Sequence, residues 1–207
     1  MRRILATISA ILMIVILGHI AGAQDASPAA YPMAPDPADC RVEPRSIESV
    51  TAAVGTPTAS DPAAASSPTP FVRPEGQPAD NATSEAVTGT VHELFACANA
   101  GDFLRIFALY TDDFLRDFLA GTPVNEEVIA LFTASPVPLP EQEMRVIIRI
   151  EEVQILPDGR AGVVVVLDEP DDPRTEEPDY VILERDGDRW LIDEVIEDGG
   201  MEATPAP

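Results

Sequence analysis

Four consecutive valines, Val163 to Val166, set the tightest limit on what this chain can fold into. Successive side chains of a strand point to opposite faces, so this run puts branched apolar groups on both faces at once. Such a strand has to be central and covered on each side. Its neighbours fit that demand. Met144–Ile155 is rich in Val and Ile and reads as the strand before it, joined through Pro157-Asp158-Gly159. Tyr180–Glu184 and Trp190–Ile196 read as two more, joined by Asp186-Gly187. Gly-containing turns between apolar β-branched runs are hairpin signals.

Helical spacing precedes these hairpins. Val87, Val91, Leu94, Phe95 and Ala98 share one helix face, with Asp80 or Thr83 to cap its start and Asn99-Ala100-Gly101 to stop it. Asp102 caps a second helix that turns Phe103, Ile106, Phe107 and Tyr110 inward. Thr111-Asp112-Asp113 restarts the chain into Phe114–Leu119, and Asn125 caps Glu126–Phe132. Prolines at 136, 138 and 140 then forbid further helix and swing the chain to the sheet. The expected class is α+β: helices packed on a curled, antiparallel, four-stranded sheet, in one domain over residues 81–198.

The rest of the chain reads differently. Met1-Arg2-Arg3, an apolar run from Ile4 to Ile20 and Ala21-Gly22-Ala23 make a secretory signal over 1–23, cleaved near Ala23; an uncleaved anchor is the rival. Residues 24–39 read as a disordered leader. Residues 40–55 read as a short ordered island, where Ile47, Val50 and Val54 keep helical spacing, Ser46 caps and Gly55 terminates. Residues 56–80 read as a Pro/Ala/Ser/Thr-rich linker and 199–207 as a disordered tail. Cys40 and Cys97 are the two cysteines, and in an exported chain an isolated pair is expected to be bridged. The alternative is two separate thiols.

The charge narrows the partners. The chain carries 13 Lys+Arg, all of them arginine, against 36 Asp+Glu, for a net charge of −23. Removing the signal takes two arginines and no acid, giving −25. So acidic a surface repels phosphate backbones and anionic lipid heads, so neither nucleic acid nor a membrane beyond the signal segment is an expected partner. The segment Asp168–Asp179 holds seven acids against Arg174. It matches no calcium-loop spacing and reads as a solvated, self-repelling loop. Phosphate-cradling, nucleophile-elbow and zinc spacings are missing from the sequence, so neither a metal nor a cofactor is expected.

Two stretches carry a family resemblance: Asn99-Ala100-Gly101-Asp102 running into Phe107-Ala108-Leu109-Tyr110-Thr111-Asp112-Asp113, and the terminal Asp188-Arg189-Trp190-Leu191-Ile192-Asp193. Together they resemble the nuclear transport factor 2-like, or SnoaL-like, superfamily, an exported bacterial type, over most of 83–197. The resemblance implies a cystatin-like cone with a pocket inside it, and often a homodimer through the sheet. Members place a short strand soon after the second helix. Here Phe114–Leu119 reads as helix, so a different pocket entrance is expected. Family enzymes use an Asp, His or Tyr in the cone, which makes Asp112, Asp113, Asp193 and Tyr110 the catalytic candidates, with His92 behind them. Each has a plainer reading. Asp112 and Asp113 would serve the next helix start, Asp193 would pair with Arg189 or Arg149, Tyr110 would pack in the core, and His92 would sit at a helix edge. Tyr110 and Phe107 are the expected ligand contacts, and Trp190 the plug between sheet and helix. The expected function is an exported, non-catalytic domain that binds a small apolar ligand or a protein partner. The alternative is an isomerase- or dehydratase-type enzyme with one pocket carboxylate as general base.

Overall fold

A computed structural model describes residues 31–55, 73–168 and 178–197. The expected signal over 1–23, most of the linker, the acidic loop after Asp168 and the tail lie outside these described residues. Among the described residues are five α-helices and six strands: α1 (Ile47–Val54), β1 (Gln77–Pro78), α2 (Asn81–Ala100), α3 (Phe103–Phe107), α4 (Asp112–Phe118), α5 (Glu126–Phe132), β2 (Val146–Ile150), β3 (Gln154–Ile155), β4 (Ala161–Asp168), β5 (Pro178–Asp186) and β6 (Arg189–Glu197). Every strand pairing is antiparallel, and helices and sheet are mixed as an α+β chain requires. The strand order is β1-β3-β4-β5-β6, with β2 also on β4.

The four-valine strand is central, as its composition demands. β4 is buried from Ala161 to Leu167. Val163 and Val165 face the helices, in a core with Val87, Val91, Leu115, Leu183 and Ile192. Val164 and Val166 face the other way, with Leu156, Tyr180 and Ile182. Gly162 is needed on that second face: a Cβ there would stand 2.0 Å from the Tyr180 hydroxyl oxygen, so only hydrogen leaves room for the ring. Trp190 is buried where the plug was expected, and its carbonyl accepts the Thr90 hydroxyl of α2 at 3.2 Å.

The four expected strands become six through two corrections. Met144–Ile155 is not one strand. It breaks into β2 and β3, with a register shift between Ile147 and Arg149 and exposed Glu151 and Glu152 at the gap. Two adjacent acids prefer water to a sheet face, and the bulge between Ile147 and Arg149 lets β2 bend ahead of them. β1 comes from the expected linker: Gln77 and Pro78 pair with Ile155 and Gln154, adding backbone hydrogen bonds to the open edge of β3.

The leader reading is corrected too. From Tyr31 onward the chain lies against the domain. Met33 exchanges both backbone hydrogen bonds with Ile147, at 2.9 and 2.8 Å. Tyr31 places its hydroxyl 2.5 Å from His92 Nε2. No apolar period announces this strap, because backbone pairing to a neighbouring strand needs none. Behind it, Ser46 caps α1, whose Val50 is fully buried in the main core, so the island folds onto the domain. Cys40 and Cys97 form a disulfide, 57 residues apart in sequence. Closing a loop of that length restricts the unfolded chain by about 4 kcal/mol on the chain-entropy estimate.

Candidate ligand cavity

The helical half of the molecule builds one wall of a cavity of about 840 Å³. Helical spacing supplies the wall directly. Leu94, Phe95 and Ala98 come from successive turns of α2, Phe103, Ile106 and Phe107 from α3, and Phe114 and Phe118 from α4. Gly101 makes the α2–α3 corner possible: it sits in the left-handed region at φ 68°, and a Cβ there would stand 2.6 Å from the Val137 carbonyl oxygen. The segment 134–139 and Leu131 of α5 close one side, and Leu167, Asp179 and Val195 bring the sheet to the other. A space of this size with so apolar a lining is typical of sites for small organic molecules.

The mouth is open and apolar. Phe103, Phe118, Leu131, Val137 and Val195 are the exposed large hydrophobic residues among those described, and all five line this cavity; Val137 is 75% exposed. Scattered surface apolar groups need no explanation, but their confinement to one opening makes it the candidate site.

Two charged residues share the lining, Arg145 and Asp179. Arg145 is held by its backbone. Buried Asn99 accepts its N–H at 2.8 Å and donates to its carbonyl at 3.1 Å, while the same Asn99 amide donates to the Pro35 carbonyl at 3.1 Å. One side chain on α2 thus fixes the strap, the cavity wall and the entry to β2. Asp179 lies on β5 opposite Val165 of β4.

The expected ligand contacts Tyr110 and Phe107 both line the cavity. Tyr110 is pinned by a parallel bridge to Ile192: Thr111 N–H donates to the Ile192 carbonyl at 2.9 Å, and Ile192 N–H to the Leu109 carbonyl at 2.8 Å. Its ring meets Phe114 edge to face at 4.8 Å and Phe118 at 5.6 Å.

The three aspartates do not join them. Asp112 pairs with Arg45, which also donates to the carbonyls of Phe107 and Tyr110 at 3.5 Å. Asp113 pairs with Arg116 at 2.6 Å and is exposed. Neither caps α4; Thr111 does, accepting Phe114 N–H at 3.1 Å. A hydroxyl one residue earlier reaches the free amide, and the two acids occupy the first turn, where the helix dipole favours them. Asp193 pairs with neither Arg189 nor Arg149. It takes the Arg160 guanidinium at 2.8 Å and the Thr111 hydroxyl at 3.1 Å. Arg160 also holds Asp158, and these carboxylates raise its pKa. The correction has a simple origin: the turn before β4 sets Arg160 beside the middle of β6, two strands away in the sheet, which strand alternation alone does not foretell.

A second concavity, about 530 Å³, lies on the other side of Tyr110. It is walled by the paired Arg45 and Asp112, with Asp113, Glu184, Arg185, Asp186 and Arg189. His92 is in neither. It is half-buried against Tyr31, and burial lowers its pKa below the usual histidine value. No group of His, Cys, Asp or Glu among the described residues is arranged to hold a metal ion.

Sequence reasoning missed Phe95, Phe114, Phe118, Arg145 and Asp179 as wall residues. A signal was present for the first three: six of the seven phenylalanines fall between residues 95 and 132. No protein-family model matches the chain, and neither a curated protein nor a solved structure does.

Proposed function

We propose that this chain is an exported, non-catalytic binding protein for a small apolar ligand, held in a cone of the nuclear transport factor 2-like kind. The observation that carries the reading is the open cavity of about 840 Å³ with its aromatic and aliphatic wall. Helices leading into an antiparallel sheet, and a cavity between the two, support the family. The Cys40–Cys97 disulfide supports an oxidising compartment. The reading favours binding over catalysis because Asp112, Asp113 and Asp193 are engaged by arginines away from the cavity.

The test is titration of the purified chain with the neutral probe phenylnaphthylamine, which fluoresces in apolar surroundings, together with native mass spectrometry of the protein as isolated. Saturable binding that is weakened in Ala98→Phe, where the new ring intrudes on the cavity, is the expected result. A folded chain that takes up no probe and carries no ligand overturns it. Intact mass checks the export reading: the secreted chain should lack residues 1–23. The enzyme alternative retains one carboxylate in the wall, Asp179. It gains only if a ligand released after long incubation is chemically altered and Asp179→Asn stops the change.

A further inference from the structure

Resting on the cavity as the binding site, we propose that its ligand is an apolar cation: an aromatic or alkyl body that carries a quaternary or protonated amine. The wall is the first reason. Phe95, Phe103, Phe107, Phe114 and Phe118 line the cavity, and Phe132 stands edge-on behind Phe107 with ring centroids 4.9 Å apart. That accounts for every phenylalanine among the described residues, while the sheet side of the main core is Val, Ile and Leu with Ala161 and the single Trp190, which does not line the cavity. Aliphatic side chains would serve a hydrocarbon ligand equally well by area. Aromatic rings add negative faces, which attract a cation and do nothing for an anion.

Charge complementarity is the second reason, and it is independent of the first. Residues 112–145, which build the mouth, carry seven acids against Arg116 and Arg145. Arg116 is already paired with Asp113. Arg145 is the one cationic group of the wall among the described residues, and Asp179 lines the same wall. The chain as a whole carries −23 and no lysine. A low-dielectric cleft focuses such a field, raising the local concentration of cations and depleting anions. An anionic amphiphile would have Arg145 alone to recommend it.

The experiment compares three probes with one body: neutral diphenylhexatriene, its trimethylammonium derivative and its propionic acid derivative, each titrated into the full chain at low salt. The cationic probe should bind about tenfold more tightly than the neutral one and the anionic probe most weakly. The gap should narrow at about 0.5 M salt, where surface fields are screened. Phe118→Leu, at an exposed position that tolerates change, should weaken the cationic probe more than the neutral one; Asp179→Asn should act in the same direction. Neutral binding as tight as cationic, or anionic binding tightest, overturns the proposal and leaves the cavity reading standing. Failure of a folded chain to bind any of the three overturns both.

Discussion

Two concavities meet at Tyr110, and they could hardly differ more. On one side the wall is phenylalanine and aliphatic, with Arg145 and Asp179 as its charged residues, and the mouth exposes Phe118, Leu131 and Val137 to water. On the other side arginines and acids dominate, and Arg45 and Asp112 are already joined. In the charged cleft Arg45 and Asp112 answer each other, while the apolar cavity leaves Phe118, Leu131 and Val137 open to water. Abundance of ionisable residues is therefore a poor guide to the site in this molecule. The acids that looked available in sequence, Asp112, Asp113 and Asp193, are engaged by arginines, and the open apolar volume lies where charge is scarce.

The two sides can be separated by substitution. The largest effect is expected at the scaffold they share. Cys40→Ser with Cys97→Ser should lower stability by about 4 kcal/mol, because the loop they close is long, and urea unfolding with and without the pair checks it. Asn99→Ala comes next, at about 3 kcal/mol, since it strands buried amide and carbonyl groups of Arg145 and the Pro35 carbonyl. It should also weaken probe binding, because Arg145 stands in the cavity wall; an Asn99→Ala chain that binds normally would detach the strap from the site. Ala98→Phe should cost more than about tenfold in phenylnaphthylamine affinity with little change in melting temperature, as it fills space rather than removing contacts. Asp193→Asn reverses that pattern: about 1 kcal/mol of stability lost with the Arg160 and Thr111 contacts, and probe affinity unchanged. If Asp193→Asn alters binding, the Asp193–Thr111 contact beside the second concavity is coupled to the cavity through Tyr110.

The smallest effect concerns pH. Burial lowers the folded-state pKa of His92, so the unfolded chain binds its proton first as pH falls. Its contribution is complete above the ordinary histidine pKa near 6.5 and is lost as pH drops through that value toward the lowered folded one. Melting temperature measured between about pH 7.5 and 5 should fall less in His92→Gln than in the native chain.

How much of this was legible in advance varies with the kind of interaction. Local rules predicted local structure well. Ser46 and Asn125 cap α1 and α5, Gly101 ends α2, and the Asp186-Gly187 turn joins β5 to β6, all as their side chains or missing Cβ require. Long-range backbone pairing escaped, because Met33 on Ile147 and Gln77 on Ile155 use peptide groups common to every residue. The candidate site was half legible. Phe107 and Tyr110 follow from an inward helix face, but nothing in sequence distance sends Asp193 to Arg160, or brings Asp179 and Arg145 to the wall that Phe95 begins.

The sequence by itself determined the elements and the charge: four valines demand a central strand, spaced apolar residues and caps demand helices, and the excess of acids over arginines demands a negative field. Those are sums over neighbours or over the whole chain, which order along the sequence already contains. Tertiary structure alone decided which acids were neutralised and where space was left empty. Both depend on which side chains converge from distant elements, and a void is defined by the surfaces around it rather than by any residue of its own.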